Sequence, residues 1–215
     1  NLEIVNRNPK IDTVYNAVDM MDRTGVAAVA QDKGTIDHIH LKNLNIHDVI
    51  GNVYNKHMNN GGIYFTVYMP HDAQTENKAD GTKDFVSSET GVPRFNDVLI
   101  DGCSVVNTNR WGIAVGYTAL WGKFTGMEIS DEDIAKYGST NVVVQNNYVK
   151  DAGGDSITMM YCDKPLVQYN VSDGAARQMH SGDYGPQGET QRFAAGIWPW
   201  KCKDAVFQYN EAFDT

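Results

Sequence analysis

Two tryptophans separated by one residue are the side chains most suggestive of chemistry in this sequence. Trp198 and Trp200 lie in AGIWPWKC (195–202), which has the length and apolar content of a short β-strand. Successive side chains of a strand point to opposite faces, so the two rings share one face. Aromatic surfaces beside polar groups are what a sugar ring stacks on through its apolar C–H face. The pair predicts a sugar-binding surface; the alternative is a small apolar core beneath a loop.

Four aligned segments extend this face. GGIYFTVY (61–68), WGIAVGY (111–117), DSITMMYC (155–162) and AGIWPWKC share one isoleucine position, at Ile63, Ile113, Ile157 and Ile197. Alternation directs that position, and the one two residues later, toward the interior. The positions one and three later point outward and align the two tryptophans with Tyr64, Thr66, Ala114, Gly116, Thr158 and Met160. Trp111 is the first residue of its segment and is predicted at the edge of the same face.

Asp155 begins one of these segments, directly after Gly153 and Gly154. A carboxylate at the start of the strand would meet a ligand lying along the aromatic face. The same position also suits a turn residue, since Asp favours bends that follow glycines. Both interpretations stay open.

A second set of segments recurs between the first. DHIHLKNLNI (37–46), NDVLIDGCSV (96–105), NVVVQNNYV (141–149), KPLVQYNVS (164–172) and DAVFQYNEA (204–212) share one central apolar position, held by Leu41, Ile100, Val144, Val167 and Phe207. Three residues later stand Leu44, Cys103, Asn147, Asn170 and Asn210. In-phase repeats with two strands per unit and no helix indicate a solenoid.

We therefore predict an all-β fold, a right-handed single-stranded parallel β-helix of the pectin-lyase-like type. Aliphatic ladders would fill its interior, and Asn side chains would bond from coil to coil at the turns. Leucine-rich repeats require a leucine lattice that this chain lacks. A β-sandwich of hairpins is the remaining alternative, but hairpin proteins lack repeats in phase.

All 215 residues are predicted to form part of one β-helix domain, with loop insertions at about 69–94, 118–139 and 176–193. Within the second insertion, SDEDIAKYG predicts a short helix capped by Ser130. In residues 1–33, NAVDMMDRTGVAAVA has some apolar residues at helical spacing, but LEIV and GVAAVA equally fit strands of a first, irregular coil, so this region is left as mixed structure.

Loops on a rigid coil stack commonly carry the binding site. Three histidines in or near such loops, His57, His71 and His180, are therefore predicted as substrate-binding residues near the cleft. The alternative is that the loops only cover strand edges.

One outward position of the second set is apolar in four coils, at Leu99, Val143, Leu166 and Val206. Such a stripe predicts a cover: an insertion, another domain or another chain. The last segment, KDAVFQYNEAFDT (203–215), looks like the first half of a coil, and the first residues carry no cap. We therefore expect a β-helix that is incomplete at both ends and continued by coils of the same parent chain or a second subunit.

Charge and composition argue against some classes of binding partner. A net charge of −9 argues against nucleic acid and anionic membrane surfaces. No run of eighteen apolar residues exists, so no membrane span is predicted.

Cysteine and histidine spacing gives little sign of a metal site. The three cysteines do not suit a disulfide scaffold. Cys162 and Cys202 share one register position, which suits either a disulfide or two buried thiols. His38 and His40 alternate on one strand, but no carboxylate or cysteine joins them at a metal-binding spacing. We predict no metal site and no cofactor, although a structural Ca²⁺ in an acidic loop stays compatible with the sequence.

Four stretches resemble a known family. RWGIAVGYTALWGKF (110–124), KYGSTNVVVQNNYVKDAGGDSITMMYC (136–162), PLVQYNVSDGAARQ (165–178) and AAGIWPWKCKDAVFQYNEAFDT (194–215) resemble the right-handed β-helix glycoside hydrolases of the lacto-N-biosidase type. These are secreted or surface enzymes of gut bacteria. The resemblance covers roughly residues 95–215. More broadly, the chain is similar to β-helix carbohydrate-active enzymes, including pectate lyases.

The resemblance implies a secreted or cell-surface bacterial hydrolase that releases a sugar or disaccharide from the non-reducing end of an oligosaccharide or glycan. In that family, two catalytic aspartates lie on the coil after the one that contains QYNEAFDT (208–215). The catalytic residues are therefore expected downstream of Thr215, the last residue of this sequence. None is assigned within the chain, and neither Glu211 nor Asp214 takes that role.

The resemblance also carries over part of the pocket. It implies that Trp198 and Trp200 of GIWPW, and Asp155 of GGDSIT, are substrate-binding residues.

Two other functions remain open. A polysaccharide lyase acting on uronates needs cationic groups, often with Ca²⁺, to neutralise the substrate carboxylate. The predicted face offers aromatic side chains, with only Arg110 and Lys201 nearby. A non-catalytic carbohydrate-binding module would bind glycans without turnover. The leading prediction is the substrate-binding portion of a β-helix glycosidase, whose two carboxylates set retention or inversion by their separation.

Overall fold

The computed structural model describes residues 2–7, 23–31, 34–50, 60–68, 75–77, 83–85, 93–118, 130–178 and 194–215. Within them the chain forms nineteen strands and one helix. Seventeen strands lie in three sheets, and every pairing within those sheets is parallel. The structure is an all-β parallel solenoid, as the repeats predicted.

Successive turns of the chain pass through the three sheets in the same order, and one turn contributes two strands, β14 and β15, to sheet C. Sheet A contains β1 (Glu3–Arg7), β4 (Asn45–Ile50), β9 (Ser104–Thr108), β12 (Tyr148–Ala152), β16 (Val171–Asp173) and β19 (Glu211–Phe213). Sheet B contains β2 (Thr24–Gln31), β5 (Gly61–Tyr68), β10 (Trp111–Thr118), β13 (Ile157–Met160) and β17 (Ile197–Trp200). Sheet C contains β3 (Thr35–Lys42), β8 (Arg94–Asp101), β11 (Ser139–Gln145), β14 (Cys162–Asp163), β15 (Leu166–Gln168) and β18 (Val206–Gln208).

The strand register confirms both sets of aligned segments. Ile113 pairs with Ile63 and with Ile157, which in turn pairs with Ile197. Val144 pairs with Ile100 and Val167, and Val167 pairs with Phe207. These positions point inward and join one apolar core with residues two positions away such as Phe65, Val115 and Met159, whereas Pro199 of the last coil is exposed. The alternation of apolar residues had fixed which side of each strand faces this core.

The first coil was only partly legible from the sequence. LEIV and GVAAVA belong to strands β1 and β2, and Val26 continues the ladder of inward isoleucines by pairing with Ile63. The strand interpretation of residues 1–33 therefore holds for Glu3–Arg7 and Thr24–Gln31.

One predicted alignment was wrong by one residue. Thr66 was expected beside Gly116, but it pairs with Tyr117 because β10 carries a bulge between Val115 and Tyr117. Gly116 occupies the bulge with a φ of 83°, in the left-handed region that favours glycine. A side chain there would also be crowded, since an added Cβ would lie 2.2 Å from the Met160 carbonyl oxygen.

Left-handed residues recur at the same place in successive coils, which explains the many Asn and Asp residues. In sheet C the column contains His38, Asp97 and Asn141, and in sheet A it contains Asp48, Asn107 and Asp151. Between these sheets it contains Asn43, Gly102, Asn146, Tyr169 and Tyr209. Asn and Asp tolerate positive φ better than other non-glycine residues, so they suit these repeated bends.

The predicted asparagine ladder is present. Asn147, Asn170 and Asn210 stack at one turn, and each side-chain oxygen accepts a hydrogen bond from the backbone N–H of the preceding coil. Their amide groups also bond from side chain to side chain at 2.9–3.0 Å. Because Asn147 and Asn170 are buried, these bonds satisfy polar groups that have no access to water.

Helix α1 (Asp131–Tyr137) confirms the helix predicted within the second insertion. The Ser130 side chain accepts from the Asp133 N–H, and the Asp133 carboxylate accepts from the Ser130 N–H. This capping box, with three acidic residues in the first turn, suits the positive end of the helix dipole. Strands β6 (Thr75–Asn77) and β7 (Lys83–Phe85) form an antiparallel pair within the first predicted insertion.

The apolar stripe also forms as aligned. Leu99, Val143, Leu166 and Val206 are successive register partners on the outer side of sheet C. The first three side chains are half-buried and Val206 is exposed. What covers the stripe stays a prediction. In the described part of the chain, no helix has the length and apolar character needed to span a membrane.

Candidate functional site

The outer side of sheet B carries a second apolar cluster, separate from the core. Tyr64, Trp111, Ala114 and Met160 form its buried part, and Tyr161, Trp198 and Trp200 pack against them. Strand register explains the grouping, since Ala114 pairs with Tyr64 and Thr158, while Thr158 and Met160 pair with Trp198 and Trp200. The residues predicted on one outward face therefore do share it, and Trp111 lies there as expected.

Burial differs along this aromatic face. Tyr64 and Trp111 are 2% and 1% exposed, so neither offers a ring surface to a ligand. Trp198 and Trp200, in the last coil, are only half-buried. The part of the face that a ligand can reach is therefore the tryptophan pair, with Tyr64 and Trp111 packed within the same cluster as support.

The two tryptophans are held at an angle to one another. Their ring centroids are 5.6 Å apart and the planes meet at 68°, an edge-to-face arrangement that aromatic rings prefer. The Trp198 Nε1–H and the hydroxyl of Thr158, its register partner, have no hydrogen-bond partner among the described residues. Both atoms are buried, so the surface that the pair offers to a sugar consists of its partly exposed rings.

Asp155 lies at the start of these strands as a buried charge. Its Oδ2 accepts from Arg110 Nη1 at 2.9 Å, and its Oδ1 accepts from the Ala195 N–H at 2.9 Å. Both side chains of the ion pair are buried, at 1% and 7% exposure. Asp155 thus ties the coil before it and the coil after it to its own coil.

Arg110 connects this ion pair to the aromatic cluster. Its guanidinium carbon lies 3.7 Å from the centre of the Trp111 ring, within the range of a cation–π contact. From the sequence, Arg110 was predicted only as a cation near the aromatic face. The segment alignment contained the missing signal, because it places Arg110 beside Gly154, the residue before Asp155, and the Gly154 N–H does donate to Arg110 O.

Four predicted elements of the site cannot be placed on the structure. His57, His71 and His180 lie outside the described residues, so their substrate-binding role stays a prediction. The catalytic carboxylates are expected downstream of Thr215, so they also lie outside the described residues. The expectation about the catalytic pair is therefore neither confirmed nor contradicted by the structure.

The histidine pair at the other sheet does have a carboxylate partner, which the spacing analysis missed. Asp97 accepts from His38 Nδ1 at 2.6 Å and from His40 Nε2 at 3.0 Å. Hydrogen bonds from His40 and His38 lower the pKa of the Asp97 carboxyl. The signal was the alignment of 37–46 with 96–105, which puts Asp97 opposite His38. Even so, no group of three or more His, Cys, Asp and Glu within the described ranges is arranged to hold a metal ion.

A further polar cluster joins the first coil to the second. His47 bonds through Nε2 to Glu3 at 2.7 Å and through Nδ1 to Asp48 at 3.0 Å. The bond to Glu3 is the largest cause of a raised His47 pKa, and the bond to His47 is the largest cause of a lowered Asp48 pKa. Near this cluster, an open depression lies beside Leu2, Glu3, Asn43 and Gly102. It lies at sheets A and C, away from the aromatic face of sheet B.

The coils and their outward aromatic face define a parallel β-solenoid. Comparison with known proteins adds the family resemblance, although no protein-family model matches the chain. The lacto-N-biosidase of Bifidobacterium longum subsp. longum (strain ATCC 15707 / DSM 20219 / JCM 1217 / NCTC 11818 / E194b) is 50% identical over 199 residues, which are 90% of this chain and 12% of that protein.

Solved structures agree. Native and selenomethionine crystal structures of the GH136 lacto-N-biosidase from Eubacterium ramulus are each 47% identical to this chain, with a TM-score of 0.81. They cover 99% of this chain, which spans 32% of theirs. Proteins named lacto-N-biosidase, which are glycoside hydrolases, are therefore close homologues of this chain, and the resemblance predicted from its residues is confirmed. The chain spans about an eighth to a third of the length of these relatives.

Proposed function

We propose that this chain is part of a glycoside hydrolase acting on oligosaccharides, in which it supplies scaffold and a sugar-stacking subsite. The observation that carries the proposal is the identity of about one half to lacto-N-biosidases along nearly the whole chain. The half-buried pair Trp198 and Trp200 supports the subsite, because it offers partly accessible aromatic ring surface on the outer side of sheet B.

The catalytic carboxylates lie downstream of Thr215 in this proposal. Two points support this: the resemblance implies a catalytic pair on a coil beyond the tryptophan pair, and this chain spans only 32% of the crystallised relatives. Asp155 has a positioning role here, since both of its oxygens are engaged by Arg110 and Ala195. It holds Arg110 against Trp111 and anchors the segment that leads into the tryptophans.

We propose that the solenoid is right-handed and pectin-lyase-like, and that all 215 residues belong to one such domain with the three insertions. Crossover connections between parallel strands of L-amino acids strongly favour the right hand. Further coils, from the same parent chain or a second subunit, would cover the exposed side chains of Val206, Tyr209 and Phe213. The protein would be secreted or displayed on the surface of a gut bacterium, as the resemblance implies.

The test uses the full-length protein that contains this chain and a chromogenic glycoside of lacto-N-biose, the disaccharide for which the relatives are named. Trp198→Ala and Trp200→Ala should each raise KM roughly 2- to 12-fold, since aromatic contacts of this kind contribute about 0.5–1.5 kcal/mol. Tyr169→Ala is the matched control, because it removes an exposed aromatic ring from another side of the solenoid and should leave KM unchanged.

The other two functions give different results in the same experiment. A lyase would release an unsaturated uronate from a uronic-acid polymer in a Ca²⁺-dependent reaction and leave the glycoside intact. A binding module would retain glycan but turn over neither substrate. Either outcome would reject the hydrolase, and equal KM for the tryptophan variants and wild type would reject the subsite.

A further inference from the structure

Two cysteines of neighbouring coils lie directly beside one another. Met160 pairs with Trp200, Asp163 forms a parallel bridge with Lys203, and the Lys203 N–H donates to Cys162 O at 3.0 Å. Cys162 and Cys202 are therefore register partners across one strand spacing of about 4.8 Å. That spacing falls within the roughly 4.4–6.8 Å between Cα atoms that disulfides span.

Both side chains point the same way, toward the core. Cys162 Sγ lies 3.3 Å from Met160 O, and Cys202 Sγ lies 3.6 Å from Trp200 O, in each case the carbonyl two residues earlier. Cys162 is fully buried and Cys202 is partly exposed, and their thiol groups interact with one another. The third cysteine, Cys103, is buried at the turn between sheets C and A and bonds to backbone carbonyls there.

We propose that Cys162 and Cys202 are a modification site, where exchange with a low-molecular-weight disulfide forms a covalent link between coils. The more accessible Cys202 thiolate attacks the reagent RSSR, forming a mixed disulfide with R and releasing RS⁻. The buried Cys162 thiol then gives up its proton, attacks Cys202 Sγ and displaces the second RS⁻. Two protein thiols are oxidised, one external disulfide is reduced to two thiols, and the two thiol protons pass to the released RS⁻ groups.

The link would act on the aromatic face. Trp198 and Trp200 precede Cys202 within the same short segment, and β13 is the described strand that pairs with theirs. A disulfide would close residues 163–201 into a loop and so restrict the separation of β17 from β13 in the unfolded and partly opened states. This inference rests on the register of the two coils and stands whether or not the chain acts on sugars.

The first test maps peptides of the full chain after incubation with oxidised glutathione, without denaturant and without substitutions. We expect a peptide in which Cys162 is bonded to Cys202, while Cys103 stays a free thiol. Recovery of Cys202 only as a glutathione adduct, or of both cysteines as free thiols, would overturn the proposal.

The second test follows strand β17 by amide hydrogen exchange and thermal unfolding, before and after oxidation. In the wild type and in Cys103→Ala, oxidation should slow exchange across Ile197–Trp200 several-fold and raise the unfolding midpoint by about 5 °C or more. Cys202→Ser should show neither change. Equal shifts in Cys202→Ser and the wild type would show that the effect does not come from this pair.

Discussion

At the scale of single residues, the site depends on one buried ion pair. Asp155 contacts Arg110 of the coil before and Ala195 of the coil after, so one carboxylate joins three coils beside the aromatic cluster. An ion pair without access to water gains little over an apolar pair of the same shape, yet removing one charge leaves the other buried and uncompensated. The pair therefore contributes mainly by fixing the positions of the three coils relative to one another.

Asp155→Asn should destabilise the chain by about 3 kcal/mol, because it leaves the Arg110 charge buried without a counter-charge. Asp151→Asn is the control, since Asp151 and Arg177 form an ion pair with both side chains more than 40% exposed and should cost less than about 1 kcal/mol. Urea unfolding followed by circular dichroism measures both. Equal losses for the two variants would contradict the assigned role of Asp155.

His47 should make the attachment of β1 to β4 depend on pH. Its folded pKa is raised above 6.5 by Glu3 and Asp48, so its contribution is present below 6.5 and is lost as pH rises through the folded pKa. The Asp48 pKa is lowered from 3.8, so that contribution is present above 3.8 and is lost as pH falls through the folded pKa. The attachment of β1 to β4 should therefore be most stable between pH 3.8 and pH 6.5.

The measurement is amide exchange across Glu3–Arg7 at pH 5.5 and pH 8.5, corrected for intrinsic rates. Protection should be greater at the lower pH in the wild type. His47→Gln should remove most of the difference, because its amide does not titrate. A difference that persists unchanged in this variant would assign the effect to other groups.

At the scale of elements, a bulge and a ladder determine how coils fit together. The bulge at Gly116 shifts the register of β10 by one residue, and the chain there passes close to Met160 and Cys162. The asparagine ladder holds the opposite side of the coil by bonds between successive turns. Neither feature depends on the apolar side chains that fill the core.

Gly116→Ala should destabilise the chain by about 2–4 kcal/mol, because it combines positive φ with a Cβ 2.2 Å from the Met160 carbonyl oxygen. Gly102→Asn is the matched control. Gly102 also has positive φ, but the same column holds Asn43 and Asn146, and an added Cβ would approach only the movable end of the Asn43 side chain, so Asn should be accepted within about 0.5 kcal/mol. Chemical unfolding of both variants measures the two losses of stability. A Gly116→Ala variant as stable as the wild type would show that the bulge does not require glycine.

Asn170→Leu should cost about 2–4 kcal/mol. The Asn170 side chain bonds to Asn147, Val144 and Asn210, and its loss leaves buried backbone groups without partners. Gln208→Ala removes a member of the neighbouring, exposed glutamine ladder and should change stability by about 0.5 kcal/mol or less. Unfolding midpoints in urea that shift alike for the two variants would argue against a special role of the asparagine ladder.

At the scale of the whole molecule, the solenoid is a stack in which each coil contacts mainly its neighbours. Stability is then a sum of terms within and between adjacent coils, so it varies along the stack. The inner coils bury their ladders on both sides, whereas exposure increases toward β18 and β19, where Val206 and Phe213 are 46% and 47% exposed. The tryptophan pair belongs to this more accessible part.

In the isolated chain, amide exchange should therefore be slowest in β11 and β12 and faster by at least roughly 10-fold in β18 and β19. Exchange measured by mass spectrometry at the level of single strands tests this gradient. Uniform protection across all these strands would mean that the stack unfolds as one cooperative unit.

The repeats in the sequence determined most of the architecture. Apolar residues at a shared position in each coil have no stable arrangement except in register with one another, since a shift by one residue would turn every one of them to water. The same alternation placed Trp198 and Trp200 outward on one face, and Ser130 with Asp133 was enough to begin the helix. The homology to lacto-N-biosidases was equally legible in these segments.

Only the tertiary structure decided which members of the aromatic face are buried, because burial depends on what packs over a strand and not on its direction. It placed Tyr64 and Trp111 out of reach, left Trp198 and Trp200 half-accessible, and joined Asp155 to Arg110 across coils. The bulge at Gly116 also required coordinates, and so did the hydrogen bonds of Asp97 to His38 and His40, although the segment alignment already puts Asp97 opposite His38. Each arises where two distant segments meet, and a pattern read along one segment does not contain that information.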